Sequence, residues 1–119
     1  MQIIPTRVHG ILDYAMGLLL IVLPWLLGFA DGQAAQWVPV IVGLAVIVYS
    51  LFTDYELGLV RLIPMPVHLG IDALGGLFLA ASPWLFGFSS QVFWPHLIFG
   101  ILEIGAALCT YRRPQRAPA

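Results

Sequence analysis

Four long apolar segments alternate with short polar ones along the chain, and each is apolar on all faces rather than along one stripe. A helix needs about 20 mostly apolar residues, at ~1.5 Å of rise each, to cross the hydrocarbon of a bilayer. Four segments approach this length: residues 8–29, 36–52, 67–88 and 93–111. The pattern therefore predicts an all-α membrane protein with four transmembrane helices.

The connections between these segments differ in chemistry. Residues 30–35 and 89–92 are short, polar and free of basic residues, whereas residues 53–66 carry an arginine and end in two prolines that interrupt a helix. We therefore expect a single transmembrane domain over residues 1–119. It consists of a first two-helix unit (7–53), a connection along the cytoplasmic interface (54–65), a second two-helix unit (66–111) and a basic tail (112–119).

The two units repeat one another in sequence. Setting residue n against residue n+59 aligns residues 8–29 with 67–88 without a gap, and 11 of the 22 pairs are identical. An offset of 57 aligns the second segments and pairs Trp37 with Trp94 and Gly43 with Gly100. Shared hydrophobicity does not place histidine, aspartate, proline and tryptophan in register. The sequence therefore predicts an internal duplication.

The repeated pattern is H-x3-D-x3-G-x6-P-W-x2-G-F. Its members are His9, Asp13, Gly17, Pro24, Trp25, Gly28 and Phe29 in the first copy, and His68, Asp72, Gly76, Pro83, Trp84, Gly87 and Phe88 in the second. The pattern resembles the SPW-repeat family of small bacterial and archaeal membrane proteins, named for a Ser-Pro-Trp motif. Ser82 completes that motif in the second copy, whereas Leu23 replaces the serine in the first. The resemblance implies a membrane fold and supplies no reaction, substrate or cofactor.

The Pro-Trp-x2-Gly-Phe part of the pattern favours a helix end and a turn. Proline removes a backbone donor, tryptophan anchors in the headgroup region and glycine permits a tight turn. A structural role is the main interpretation, and a lip of a binding site is the alternative.

Every basic residue falls on one side of the predicted topology. The arginines are Arg7, Arg61, Arg112, Arg113 and Arg116, and the tryptophans at the opposite ends of the segments are Trp25, Trp37, Trp84 and Trp94. Because cytoplasmic loops are enriched in Lys and Arg, we expect both termini and the middle connection to be cytoplasmic, in the inner cell membrane. Both units then enter from the same side, as parallel repeats about a pseudo-two-fold axis along the membrane normal.

Composition supports the bilayer as the solvent and excludes other partners. Apolar residues make up 61% of the chain and charged residues 9%, against about 25% charged in soluble domains. The formal net charge is −1 with no lysine, so we expect no nucleic-acid binding. The single cysteine, Cys109, cannot form an internal disulfide, and no Cys/His cluster has the spacing of a zinc site. We accordingly expect no metal and no cofactor.

Two His-Asp pairs are the strongest candidates for a polar site between the repeats. His9 and Asp13 are four residues apart, as are His68 and Asp72, so each pair lies on one helix face. Either the pairs bind protons or cations within the membrane, or they satisfy each other and lock the repeats together through facing glycines, Gly17 and Gly76. Haem ligation by the two histidines is a weaker alternative.

Glu103 and His96 are the remaining candidates. Glu103 falls near the bilayer centre, its repeat partner is Val46, and the lean of helical side chains predicts Ser82 as its hydrogen-bond partner, with Tyr49 less favoured. An acid present in one copy only is either a functional specialisation or a locally bonded side chain. His96 lies near the outer surface, where an ordinary interfacial histidine is expected.

The sequence contains no nucleophile with an adjacent base, no phosphate loop and no metal-ligand cluster. We therefore expect a non-enzymatic membrane protein whose molecular activity the sequence does not reveal. The alternative is a proton-coupled small-solute transporter or channel subunit that uses the His-Asp pairs and Glu103. Four helices enclose little room, so transport would require a homo-oligomer.

Overall fold

The computed structural model describes residues 2–114, which form four α-helices joined by loops. The helices are α1 (Thr6–Leu26), α2 (Ala34–Leu51), α3 (Met65–Leu85) and α4 (Trp94–Cys109). Between residues 2 and 114 the remaining regular pairing consists of isolated β-bridges, so the predicted all-α class is confirmed. Residues 115–119 of the predicted basic tail, including Arg116, lie outside the described residues.

Three of the helices, α1, α2 and α3, are long and apolar enough to cross a membrane. The fourth is a shorter apolar helix of 16 residues, which corresponds to about 24 Å of rise. It is shorter than the predicted segment because Thr110 has extended backbone, with φ −95° and ψ 144°, and pairs with Ile4 in a β-bridge.

The first and third helices begin and end in the same way. Each starts directly after a proline with extended backbone, Pro5 or Pro64, and so begins two residues before the predicted segment. Each ends three residues early because a glycine with positive φ follows, at +76° in Gly28 and +73° in Gly87. The amide three residues beyond the last helical residue, that of Phe29 or Phe88, then closes a Schellman-type turn, which satisfies a terminal carbonyl.

A serine compensates for the proline near the end of α3. Pro83 has no N–H, so the carbonyl of Leu79 four residues earlier loses its helical donor. The hydroxyl of Ser82 donates a hydrogen bond to that carbonyl at 2.7 Å. In α1 the residue before the proline is Leu23, which has no hydroxyl. The Ser-Pro-Trp motif is thus a self-compensated helix end in the second unit.

The helices pack as two antiparallel hairpins, α1 with α2 and α3 with α4, and the contacts between hairpins are fewer. A Cβ atom added to Gly43 would lie 2.5 Å from the carbonyl oxygen of Gly17, and one added to Gly100 would lie 2.5 Å from that of Gly76. The prediction that Gly17 faces Gly76 is therefore wrong. Each glycine faces a glycine of its own hairpin, because that pairing brings the two backbones closest.

The connection between the hairpins packs into the bundle in its first part, rather than only lying along a surface. The side chain of Tyr55 is fully buried, and Leu57 covers Gly10 on α1. The amides of Leu62 and Ile63 donate to the carbonyl of Phe52 at 3.1 and 2.8 Å, which folds the connection back on the end of α2. The connection thereby places the hydroxyl-bearing side chain of Tyr55 inside the bundle.

The tryptophans lie at one end of the bundle, where α1 and α3 finish and α2 and α4 begin. All four are about half exposed: Trp25, Trp37, Trp84 and Trp94. We call this the tryptophan end. The arginines within the described residues lie toward the other end, in the first turn of α1, in the connection and after α4.

Candidate functional site

Four buried side chains, His9, Asp13, His68 and Asp72, meet between α1 and α3 and form the quartet. Their exposed fractions are 2%, 3%, 0% and 1%. All four lie in the first half of their helices, at the end of the bundle opposite the tryptophans. The spacing of four residues puts both members of each pair on one helix face, and the antiparallel hairpins bring the two faces together.

The contacts run across the helices as well as along them. Along each helix, the histidine Nε2 lies 3.1 Å from an oxygen of the aspartate four residues on. Across the helices, His9 Nε2 lies 2.7 Å from Asp72 Oδ2, and His68 Nε2 lies 3.0 Å from Asp13 Oδ2. Each histidine therefore contacts both carboxylates, and the two pairs are one four-membered group.

Two threonines hold the other nitrogen of each ring. His9 Nδ1 lies 2.8 Å from Thr110 Oγ1, and His68 Nδ1 lies 2.7 Å from Thr53 Oγ1. Each threonine hydroxyl donates its single proton to the backbone carbonyl four residues earlier, at 2.6 Å for Thr110 and 2.7 Å for Thr53. The threonine oxygen can then only accept, so each ring donates from Nδ1. Both Nε2 atoms consequently point at the carboxylates.

Two tyrosines bond the carboxylates. The Tyr55 hydroxyl donates to Asp13 Oδ2 at 2.7 Å, and the Tyr49 hydroxyl donates to Asp72 Oδ1. Burial, followed by the nearby Asp13 carboxylate, raises the pKa of Tyr55, so this phenol remains a donor. Both tyrosine rings also pack on the ring of His68, with the centroid of Tyr49 at 4.9 Å and that of Tyr55 at 5.3 Å. The quartet is thus enclosed by side chains from α2, the connection and the segment after α4.

The arrangement can hold positive charge where the two Nε2 atoms face the two carboxylates. Buried carboxylates are costly unless a cation or donors compensate them. Either protons on the rings or a metal ion among the four groups would supply this compensation, since one ligand atom from each lies within 4.8 Å of the others. The expectation that the chain has no metal-ligand cluster is wrong in this respect. The sequence pointed to these four residues as a polar site but not to a metal-ligand set, because the two halves are 59 residues apart and match no ligand spacing.

The haem alternative is wrong on geometry. The rings of His9 and His68 meet edge to face with centroids 5.4 Å apart, and their Nε2 atoms converge on the same carboxylates. This arrangement leaves no space for a porphyrin between the two rings.

Glu103 lies beside the quartet rather than in it. Its side chain is 6% exposed and lines two cavities. One, of about 540 Å³, lies between α1 and α4 and includes His9 and Asp13; the other, of about 150 Å³, lies between α2 and α3 and includes Asp72. The hydroxyls expected to bond Glu103 are used elsewhere, that of Ser82 by Leu79 and that of Tyr49 by Asp72. Both of those partner assignments are wrong.

His96 links the two hairpins at the tryptophan end. It is buried, and its Nε2 donates to the carbonyl of Ala35 at 2.8 Å. Pro39 lies four residues after Ala35, so that carbonyl has no helical donor. The ring of His96 packs between Phe29 and Phe88, with centroids 5.2 and 4.9 Å away. The expectation of an ordinary interfacial histidine missed this role. The signal in the sequence is Pro39, which leaves the carbonyl four residues earlier in need of a donor.

The threonine and tyrosine partners of the quartet were also missed. Thr53 and Thr110 are a matched pair at the 57-residue offset, and that recurrence is a signal which sequence reasoning could have used. Tyr49 and Tyr55 carry no such signal, because their repeat equivalents are Ala106 and Arg112. The quartet is therefore symmetric in its histidine partners and asymmetric in its carboxylate partners.

A comparison with protein families matches the SPW repeat domain over residues 7–110, which contain the whole quartet. This chain belongs to the SPW repeat family. Comparison with curated proteins finds no match, and comparison with solved structures finds none either. Membership of the SPW repeat family and the apolar helices identify a small multi-pass membrane protein.

Proposed function

We propose that this SPW-repeat protein is a non-enzymatic protein of the inner membrane, in which the quartet fastens two tandem two-helix repeats together. The observation that carries the proposal is the pair of contacts across the helices, from His9 to Asp72 and from His68 to Asp13. The hairpins contact each other less than the two helices within each hairpin do, so a buried polar link between the hairpins contributes to holding them together. The lipid bilayer is the solvent around this link.

Matching hydrogen bonds support a tandem duplication over residues 7–53 and 66–111. Thr110 pairs with Ile4 in a β-bridge, and Thr53 pairs with Ile63 in another. The isoleucines are related by the 59-residue offset and the threonines by the 57-residue offset. Residues that correspond in the two repeats thus make the same pairing, which parallel repeats about a pseudo-two-fold axis would produce.

The proposed topology has four spans with both termini cytoplasmic. It is supported by the separation of the arginines from the tryptophan end. The fourth span consists of α4 and the extended residues after it, because Thr110 and Tyr111 continue the chain alongside Ile4. The connection, residues 54–65, then lies on the cytoplasmic side.

The hydrogen bonding of the quartet supports a non-enzymatic role. A catalytic base must accept the proton of an adjacent nucleophile. Thr53 and Thr110 instead give their protons to backbone carbonyls and accept from the histidine rings. Neither histidine is therefore placed to activate its threonine, and the geometry favours a fixed polar link.

The proposal is tested by thermal stability in detergent with a chelator present. Asp13→Asn and Asp72→Asn should each lower the stability by similar amounts, about 1–3 kcal/mol, because each leaves buried polar groups without a partner. The double variant His9→Leu/Asp13→Leu should also be less stable than the wild type, since it removes both contacts across the helices and leaves only the contact of His68 with Asp72. A strong loss in Asp13→Asn with none in Asp72→Asn would refute the symmetric link.

A second candidate function is proton-coupled transport of a small solute, as a transporter or channel subunit in a homo-oligomer. The observation that favours it is the cavity of about 540 Å³ that joins Glu103 to His9 and Asp13. Proton flux and solute flux in liposomes test it, with Glu103→Gln as the variant and Ile98→Val, exposed on the same helix and outside this cavity, as the control. Equal flux in protein-free liposomes and in liposomes with the wild type would reject this candidate.

A further inference from the structure

We propose that the quartet binds one divalent transition-metal ion, with Zn²⁺ as the ion whose chemistry it fits best. The ligands are Nε2 of His9 and His68 and one carboxylate oxygen from each of Asp13 and Asp72. The proposal rests on the quartet being the link between the repeats, as inferred above, and it adds the chemical identity of what that link holds.

The ligand atoms have the separations of a compact coordination shell. Tetrahedral Zn²⁺ with ligands at about 2.0–2.2 Å has donor atoms roughly 3.3–3.5 Å apart. With Oδ2 of Asp13 and Oδ2 of Asp72 as the oxygen ligands, three of the nitrogen-oxygen separations are 2.7, 3.0 and 3.1 Å. An outward shift of a few tenths of an ångström would therefore open the quartet enough to admit the ion.

One of the proposed ligand atoms, Nε2 of His68, is buried and makes no hydrogen bond among the described residues. His68 is fully buried, and its Nε2 makes no aligned hydrogen bond among the described residues, although two carboxylates lie close to it. Its Nδ1 donates to Thr53, so the proton of the neutral ring is already placed. The lone pair on Nε2 of the neutral ring then points into the quartet, where a metal ion would accept it.

The surrounding hydrogen bonds are those of a metal site. Histidine ligands in metalloproteins usually donate their other ring N–H to a fixed acceptor, and carboxylate ligands are themselves hydrogen-bonded. Here Thr110 and Thr53 accept from the two rings, and Tyr55 and Tyr49 donate to the two carboxylates. Each of the four ligands therefore has its own orienting partner.

The donor set selects the class of ion. Two imidazoles and two carboxylates suit Zn²⁺ and neighbouring first-row divalent ions, whereas Ca²⁺ and Mg²⁺ take six or more ligands that are mostly oxygen. Two carboxylates also balance the charge of a divalent ion with neutral histidines. Soft ions such as Cu⁺ prefer thiolate ligands, which the quartet lacks.

The experiment uses the full chain in detergent, with its purification tag removed and its metals stripped by a chelator that is then dialysed away. Co²⁺ is titrated as the spectroscopic probe. We expect one Co²⁺ per chain, the intense visible absorption of a four-coordinate site, and loss of that absorption on adding Zn²⁺ but not Mg²⁺. Folded wild-type protein that gives no such absorption and retains no stoichiometric Zn²⁺ by elemental analysis would overturn the proposal.

Matched variants locate the ion. Asp72→Asn should weaken Co²⁺ binding by at least about tenfold, and Thr53→Val, which removes only an orienting partner, by about 10–100-fold. His96→Gln is the control, because His96 is a buried histidine outside the quartet, and its affinity should be unchanged. An unaltered Co²⁺ spectrum in Asp72→Asn would place the ion elsewhere. If Asp72→Asn does not fold, Thr53→Val tests in the same way whether the ion lies in the quartet.

This outcome is separable from that of the proposed link. Loss of stability in Asp13→Asn with chelator present, combined with no metal binding by the wild type, would leave the link standing and reject the ion. Stoichiometric metal binding by the wild type, combined with equal stability of wild type and Asp13→Asn in chelator, would support the ion and reject the link.

Discussion

At the scale of single residues, two buried polar side chains bond carbonyls that prolines leave without a donor. Ser82 bonds the carbonyl freed by Pro83 within α3, and His96 on α4 bonds the carbonyl freed by Pro39 on α2. An unsatisfied carbonyl is expensive in hydrocarbon because no water reaches it. Polar side chains thus replace the donors missing at Pro83 and Pro39, once within a helix and once between hairpins.

Ser82→Ala should lower the free energy of unfolding by about 1–3 kcal/mol, because it leaves the Leu79 carbonyl buried without its donor. The control is Ser90→Ala, since Ser90 is exposed in the loop between α3 and α4. Denaturation of both variants in the same detergent measures the difference. Equal stability of Ser82→Ala and wild type would show that the serine of the motif has no compensating role.

Sequence reasoning found the four members of the quartet but not what surrounds them. The spacing of four residues placed His9 with Asp13 and His68 with Asp72 because helix periodicity is local. The partners Thr110 and Tyr55 are 101 and 42 residues away from the groups they bond. Such contacts depend on how the hairpins and the connection pack, which no local pattern specifies.

At the scale of elements, close glycine contacts define each hairpin. Gly17 faces Gly43 in the first hairpin, and Gly76 faces Gly100 in the second. Small residues let helix backbones approach in lipid, where packing rather than the hydrophobic effect drives association. The sequence identified Gly17 and Gly76 as packing residues but assigned them to the wrong neighbour, because a glycine does not specify which helix faces it.

Gly100→Ala should destabilise the second hairpin by about 1–3 kcal/mol through overpacking. Its added Cβ would lie 2.5 Å from both the backbone nitrogen of Ala80 and the carbonyl oxygen of Gly76. Gly105→Ala on the same helix is the control, because nothing lies within 4 Å of its Cβ position. Comparable thermal stability of the two variants would contradict the close contact.

At the scale of the whole molecule, polar contacts join the hairpins at two levels. The quartet joins α1 and α3 toward one end, and His96 joins α4 to α2 at the tryptophan end. The number of helices and the family followed from the sequence, because lipid requires long segments that are apolar on all faces. The register between the hairpins did not follow, since it depends on these scattered polar contacts.

The orientation in the membrane is tested by cysteine labelling in a Cys109→Ala background. Gln33→Cys and Ser90→Cys should react with an impermeant reagent from outside, and Pro118→Cys should react only after the membrane is opened. The reason is the arginine asymmetry, from which we propose that the termini are cytoplasmic. Protection of Gln33→Cys together with external labelling of Pro118→Cys would reverse the topology.

The central claim, that the quartet is one group shared between the repeats, is tested most directly by a double-mutant cycle. His9→Ala, Asp72→Ala and the double variant are unfolded reversibly in detergent with chelator present, and their free energies are compared with that of the wild type. The His9–Asp72 contact predicts a coupling free energy of about 0.5–3 kcal/mol. The control pair is His9→Ala with His96→Ala, which lie at opposite ends and should be additive within about 0.5 kcal/mol. Additive effects of His9→Ala and Asp72→Ala would show that no coupling crosses between the helices and would contradict the account.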